Sequence, residues 1–185
     1  MFMMLALLSV LTIKGETFGK DGTSSWTVEG SVMRVTIGNA GDFGNYIPNA
    51  GYGSTLVSAA QNAEPKVTKV VVTTAEGVAL NSEDAASFYF VGDAGCITTI
   101  DFMEADFSDE ASVSALNLNP NSGSGNIRNI IVSDAYASTP GSFWNNAVFN
   151  YYGRTHEGLI AVINNTDKLA WNDVRDAEPK LILQS

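Results

Sequence analysis

Hydrophobic residues recur along the chain with one spacing: apolar, two variable positions, apolar, one variable position, apolar. Five segments carry this spacing, at residues 32–37, 67–72, 97–102, 127–132 and 159–164. Their starts lie 35, 30, 30 and 32 residues apart, and the last segment departs from the pattern at Asn164. Alternation in the second half of each segment is typical of a strand with one buried face. The pattern therefore predicts five short strands, one in each of five irregular repeats.

The stretches between these segments are long enough to return the chain, so that successive strands lie parallel. Residues 55–63 and 83–91 have helical composition, and glycine-rich turns stand at 51–53 and 121–125. One such unit cannot bury its apolar side alone, whereas stacked units share a core. The prediction is an α/β fold, a short right-handed parallel β/α solenoid of about five repeats. A β-sandwich is the alternative, although sandwich strands follow one another about every 10 residues.

Two stretches of sequence resemble a known family. Residues 97–107, ITTIDFMEADF, resemble the strand pattern of leucine-rich repeats, LxxLxLxxNxL, with Ala105 in the position of the asparagine. Residues 88–100, FYFVGDAGCITTI, are similar to a junction in leucine-rich-repeat surface proteins of Bacteroidetes-type bacteria, the BspA-like group. The resemblance covers about residues 31–185. It implies a leucine-rich-repeat-like domain at the bacterial cell surface, with a concave face that recognises proteins or matrix.

The chain begins with thirteen uncharged, mostly apolar residues, MFMMLALLSVLTI. A helix that crosses a bilayer needs about 20 apolar residues, whereas a run of this length is typical of a signal-peptide core. Gly15 is a suitable small residue before a cleavage site. We therefore expect a signal peptide over 1–15, an N-terminal cap segment over 16–30 and the leucine-rich-repeat-like solenoid over 31–185. The protein would then be secreted or attached to the cell surface, with no integral membrane segment after cleavage.

Composition excludes several function classes. Twenty acidic residues oppose ten basic ones, and the formal net charge of −10 comes without any Lys/Arg cluster, so no nucleic-acid partner is expected. His156 and Cys96 are the only histidine and cysteine, which excludes a multi-His or multi-Cys metal cage and a disulfide within the chain. Nucleotide-binding and nucleophile-elbow motifs do not occur in the sequence. We expect no metal, no cofactor and no catalytic residues.

Residues that flank the inward-facing positions of a solenoid line its concave face, the surface that solenoids use for binding. The candidate binding residues are Arg34, Thr36, Lys69, Val71, Thr99, Asp101, Met103, Asn129, Ile131 and Ser133. Aligning the segments by their apolar spacing places Arg34 level with Lys69, and Thr36 level with Val71.

The leading hypothesis is an exported, non-enzymatic interaction protein that recognises a protein or glycan at the cell surface through this concave face. The alternative is a polysaccharide-active enzyme on a β-solenoid, which needs only two suitably spaced carboxylates, for instance among Asp101, Glu104 and Asp106. A third interpretation is a structural cap fragment of a larger surface protein, suggested by the apolar end of the chain at 181–183.

Overall fold

The computed structural model describes residues 12–13, 15–47, 55–116, 118, 129–133 and 180–184. The strands are β1 (Thr12–Ile13), β2 (Thr17–Phe18), β3 (Ser24–Glu29), β4 (Val32–Ile37), β5 (Lys69–Thr74), β6 (Thr99–Glu104), β7 (Asn129–Ser133) and β8 (Lys180–Gln184). The helices are α1 (Asp42–Tyr46), α2 (Thr55–Asn62), α3 (Ser82–Ala86), α4 (Phe90–Ala94) and α5 (Glu110–Ala115). A 3-10 turn at Ser87–Tyr89 joins α3 to α4.

The described strands belong to one mixed sheet whose body is β3 to β7. The order is β1-β3-β4-β5-β6-β7-β8, and β2 also pairs with β3. The pairing of β3 with β4 is antiparallel, whereas β4 to β8 are parallel and follow chain order. The predicted α/β fold is therefore confirmed. The sheet is neither closed nor curled, and within the described residues there is no second sheet of the kind that a β-sandwich requires.

The first of the repeated apolar segments coincides with a strand, whereas the next two strands begin two residues after the start of their segments. The segment at 32–37 is β4 itself, whereas β5 and β6 begin at Lys69 and Thr99. The first apolar residue of each later segment, Val67 or Ile97, precedes its strand and is fully buried. The fourth segment contains most of β7, and the fifth, at 159–164, lies outside the described residues.

The core lies between one face of the sheet and the helices. Alternate residues of β4, β5 and β6 are completely buried there, namely Met33, Val35, Ile37, Val70, Val72, Ile100 and Phe102. Helix residues such as Leu56 and Val57 belong to the same cluster. A row of phenylalanines runs through it, with ring centroids 4.8 Å apart between Phe43 and Phe88 and 5.3 Å apart between Phe88 and Phe102. Burial of each such ring contributes roughly 1.5–3 kcal/mol, so the apolar contacts across this layer hold helices and sheet together.

A buried carboxylate joins α1 to α3. Asp84 is fully buried, and its oxygens accept hydrogen bonds from the backbone N–H groups of Gly41 (2.7 Å), Phe43 (2.9 Å) and Gly44 (3.0 Å). These amides lie at the start of α1, where N–H groups have no acceptor within the helix. Asn81, the residue before α3, caps that helix, and its side-chain oxygen accepts a hydrogen bond from the Asp84 N–H at 2.9 Å. The same aspartate therefore belongs to the cap of one helix and satisfies the first turn of another.

Asp42 has a similar role between α1 and β3. It lies in α1 and is 7% exposed, and it accepts hydrogen bonds from the Ser24 hydroxyl (2.6 Å), the Asn39 amide (3.2 Å) and the Lys20 N–H (3.3 Å). Burial raises the pKa of Asp42, but these hydrogen bonds together lower it below its ordinary value of 3.8. The carboxylate therefore links α1 to β3 in its ionised form.

We expect the substitution Asp84→Ala to lower the free energy of unfolding by about 3 kcal/mol or more, because three backbone N–H groups lose their acceptor. Urea denaturation followed by circular dichroism measures this change. The control is Glu83→Ala, an exposed neighbour in the same helix, which should stay within about 0.5 kcal/mol of the wild type. Equal stability of the two variants would contradict the bridging role.

The lowered pKa of Asp42 predicts a pH dependence. A carboxyl group whose pKa is depressed in the folded state adds stability above its unfolded pKa, and that stability is lost as the pH falls through the folded value. The stability difference between wild type and Asp42→Asn should therefore shrink as the pH is lowered from about 6 to about 3. Denaturation curves at several pH values test this, and a constant difference would show that the ionised form is not the stabilising one.

Candidate binding face

The side of the sheet that faces away from the helices carries a continuous set of small and polar residues, which we call the open face. In β4, Arg34 is exposed and Thr36 is partly exposed, between buried neighbours, and in β5 partly exposed residues alternate with buried ones in the same way. By alternation and strand register, the open face consists of Ser25, Thr27, Glu29, Val32, Arg34, Thr36, Lys69, Val71, Thr73, Thr99, Asp101, Glu104, Asn129, Ile131 and Ser133.

Nine of the ten candidate binding residues belong to the open face, but the predicted alignment of these residues across neighbouring strands is partly wrong. Lys69, Thr99 and Asn129, which occupy the same position in their apolar segments, are level with one another. Arg34 is level with Val71 rather than with Lys69, whose partner on β4 is Val32. A shift of two residues leaves every side chain on the same face, so the hydrophobic pattern cannot detect it.

The tenth candidate, Met103, is displaced by an irregularity in β6. Asp101 is level with Val71, but two positions further along β5 the partner of Thr73 is Glu104. The extra residue in β6 is a β-bulge, which changes the register of the residues beyond it. Glu104, which is exposed, therefore takes the place on the open face that regular alternation would assign to Met103.

Side chains of neighbouring strands contact each other across the open face. The Lys69 Nζ lies 2.6 Å from Asp101 Oδ2, and these side chains are 36% and 14% exposed. A hydroxyl pair connects β5 to β4, with the Thr73 Oγ1 donating to Thr36 Oγ1 at 3.2 Å. Further along, the Asn129 amide donates to Thr99 Oγ1 at 3.2 Å. Such cross-strand pairs keep the surface polar groups in fixed positions, which favours recognition by shape and hydrogen bonding.

Arg34 and Ile131 differ from the rest of the open face. Arg34 is exposed, and within the described residues the Lys69–Asp101 contact is the only ion pair, so the guanidinium has no carboxylate partner there. Its five N–H donors suit a carboxylate of a ligand. Ile131 is only 8% exposed although it does not belong to the core cluster. The face therefore carries a cation at β4 and a buried apolar residue at β7.

The three carboxylates of the enzyme hypothesis have separate surroundings. Asp101 forms the ion pair with Lys69, and its other oxygen accepts from the Met103 N–H at 3.1 Å. Asp106 follows β6 and accepts from the Ser108 N–H at 2.7 Å. Glu104 is exposed on the open face. Two of the three carboxylates thus hold local structure, and their geometry adds nothing specific in favour of sugar hydrolysis.

Other candidate chemistry is limited within the described residues. No group of three or more His, Cys, Asp and Glu side chains is placed to hold a metal ion there. Cys96 packs against the core with its sulfur 3.6 Å from the Ala60 carbonyl oxygen, and burial raises the pKa of its thiol. Cys96 is therefore a small residue packed at the margin of the core. His156 lies outside the described residues.

Sequence reasoning missed the contribution of β3 to this surface. Residues 16–30 were predicted as a cap segment, yet Ser25, Thr27 and Glu29 extend the open face by one strand. The alternation in SSWTVE, with Trp26 and Val28 as the apolar positions, carries the signal for that strand. The two bridging aspartates were also missed, because a single acidic residue in a short helix gives no pattern that distinguishes it from a surface residue.

Comparison with known proteins gives no relative: no family model, no curated protein and no solved structure matches the chain. In the part of the chain that the structure describes, none of the helices combines the length and the apolar character needed to span a bilayer.

A double-mutant cycle on Lys69→Met and Asp101→Asn should give a coupling free energy of about 0.5–1 kcal/mol, since the pair is partly exposed. The coupling should fall in about 1 M NaCl, where the Debye length is near 3 Å. Denaturation of the wild type, both single variants and the double variant provides the four stabilities. A coupling of zero in low salt would show that the two groups do not hold each other in place.

Proposed function

We propose that this protein is an exported, non-enzymatic recognition module whose open face binds a protein ligand at the cell surface. The single observation that supports this most directly is the one-sided burial of the sheet. Helices cover the other face, while Arg34, Thr36 and their neighbours remain accessible on a surface of fixed strands. A rigid, preorganised surface loses little conformational entropy when it binds.

The proposal includes a short leucine-rich-repeat-like solenoid as the finer description of the fold. Supporting it, the parallel strands follow chain order and the helices behind them form two rows. In one row α3 packs against both α1 and α5, and in the other α2 packs against α4. Each repeat thus contacts its neighbours through equivalent elements, as in solenoid proteins. Connections between such parallel strands are right-handed in nearly all proteins.

A protein ligand fits the open face better than a glycan. Sugar-binding surfaces commonly offer aromatic rings for stacking, and the open face contains none. It offers instead hydroxyl groups, an ion pair and the guanidinium of Arg34, which suit the mixed polar rim and backbone groups of a protein. The signal-like start of the chain and the resemblance to bacterial surface proteins favour an extracellular ligand.

The experiment compares Arg34→Glu with the wild type for binding to immobilised fibronectin, laminin and type I collagen and to a glycan array. We expect the wild type to bind at least one of the proteins. The variant should bind it at least tenfold more weakly, because the attraction between Arg34 and a ligand carboxylate is replaced by repulsion between two carboxylates. Surface plasmon resonance measures the affinities.

Lys20→Glu is the matched control, since it makes the same change of charge at an exposed residue outside the open face. It should bind as the wild type does. Equal binding by Arg34→Glu would remove the open face as the site. Binding confined to the glycan array would replace the protein ligand by a sugar.

A further inference from the structure

The outer edge of β3 is covered by two short pieces of the same chain, β1 and β2. In the first piece, Thr12 and Ile13 pair antiparallel with Glu29 and Val28. In the second, Thr17 and Phe18 pair antiparallel with Ser25 and Ser24. Both pieces therefore pair with the edge of β3 that lies opposite β4.

The register changes by one residue between the two pieces. Continuing the first register places Gly15 opposite Trp26, and continuing the second places Glu16 opposite the same residue. Two residues opposite one define a β-bulge. The Trp26 N–H donates to the Glu16 carbonyl at 3.0 Å, and a Cβ on Gly15 would overlap the Trp26 carbonyl oxygen. Only glycine therefore fits at position 15 while this strand stays paired.

The two sides of the bulge are held differently. Downstream, Phe18 is buried and its ring is stacked on Tyr46 with centroids 4.3 Å apart. The Tyr46 hydroxyl donates to the Glu16 carboxylate at 2.6 Å and accepts from the Trp26 indole N–H at 3.0 Å. Upstream, the structure describes backbone pairing of Thr12 and Ile13 with β3. Residues 16–18 thus have an anchorage of their own, independent of residues 12–15.

The predicted cleavage site lies between these two sides, after Gly15. We propose that the part of β3 from Trp26 to Glu29 is a strand-docking edge, which takes up an extended segment of another polypeptide once residues 1–15 are removed. The segment runs antiparallel to β3, with glycine opposite Trp26 and an apolar residue opposite the buried Val28. Backbone hydrogen bonds along the edge supply affinity, and these two positions supply selectivity.

The test uses the full chain, produced without export so that residues 1–15 stay attached. In Gly15→Val the new side chain cannot fit beside the Trp26 carbonyl, so residues 12–15 leave the edge. The probe is a fluorescein-labelled peptide of residues 9–16, SVLTIKGE, measured by fluorescence anisotropy. We expect Gly15→Val to bind it at least tenfold more tightly than the wild type, whose edge is already occupied.

Thr17→Val is the matched control, because it introduces the same side chain at an exposed position of β2, which pairs with the same edge of β3. It should bind the peptide as weakly as the wild type. A second peptide with valine in place of its glycine should not bind Gly15→Val, whereas adding Arg34→Glu to that variant should leave peptide binding unchanged. This last comparison separates the edge from the open face, so either proposal can fail alone.

Three results would overturn the proposal. The first is equal binding of the glycine peptide to wild type and Gly15→Val. The second is equal binding of the glycine and valine peptides to Gly15→Val. The third is loss of the folded near-ultraviolet circular dichroism spectrum in Gly15→Val and also in the smaller Gly15→Ala, since residues 12–15 would then be an integral part of the fold.

Discussion

Burial of one face of the sheet against the helices is the constraint on which the rest of the structure depends. Strands β4 to β6 alternate between fully buried apolar residues and accessible ones, and the buried set packs on α1 to α4 through the phenylalanine row. Because parallel neighbours in chain order return by helices on the same side, the opposite side of the sheet stays uncovered by them. The open face is thus a direct consequence of how the core is built.

Polar groups inside this layer have a second, more local role. From buried positions, Asp84 accepts hydrogen bonds from backbone N–H groups at the start of α1, and Asp42 accepts from the Ser24 hydroxyl of β3 and the Lys20 N–H. A buried carboxylate is costly unless its oxygens are hydrogen-bonded. Apolar contacts hold the helices against the sheet, whereas the hydrogen bonds of these two aspartates determine how α1 is placed against α3 and β3.

The two proposed surfaces would recognise their partners by different chemistry. The open face presents side chains in cross-strand rows, so its selectivity depends on hydroxyl groups, one ion pair and Arg34. The edge of β3 presents backbone groups, and its selectivity depends on the space beside Trp26 and on the apolar position at Val28. They adjoin on β3, so the cap segment predicted from sequence would contribute to both.

The sequence by itself determined the α/β class, the parallel order of the strands from β4 onward and nine of the residues that share the open face, because alternation and apolar spacing are local properties. Only the tertiary structure decided the register of Arg34 against Val71, the bulge that puts Glu104 in the place of Met103, and the bridging by Asp84. Shifts of two residues leave the polarity pattern unchanged, and hydrogen bonds between distant residues leave no periodic signal. These features depend on how whole elements pack, which no single segment encodes.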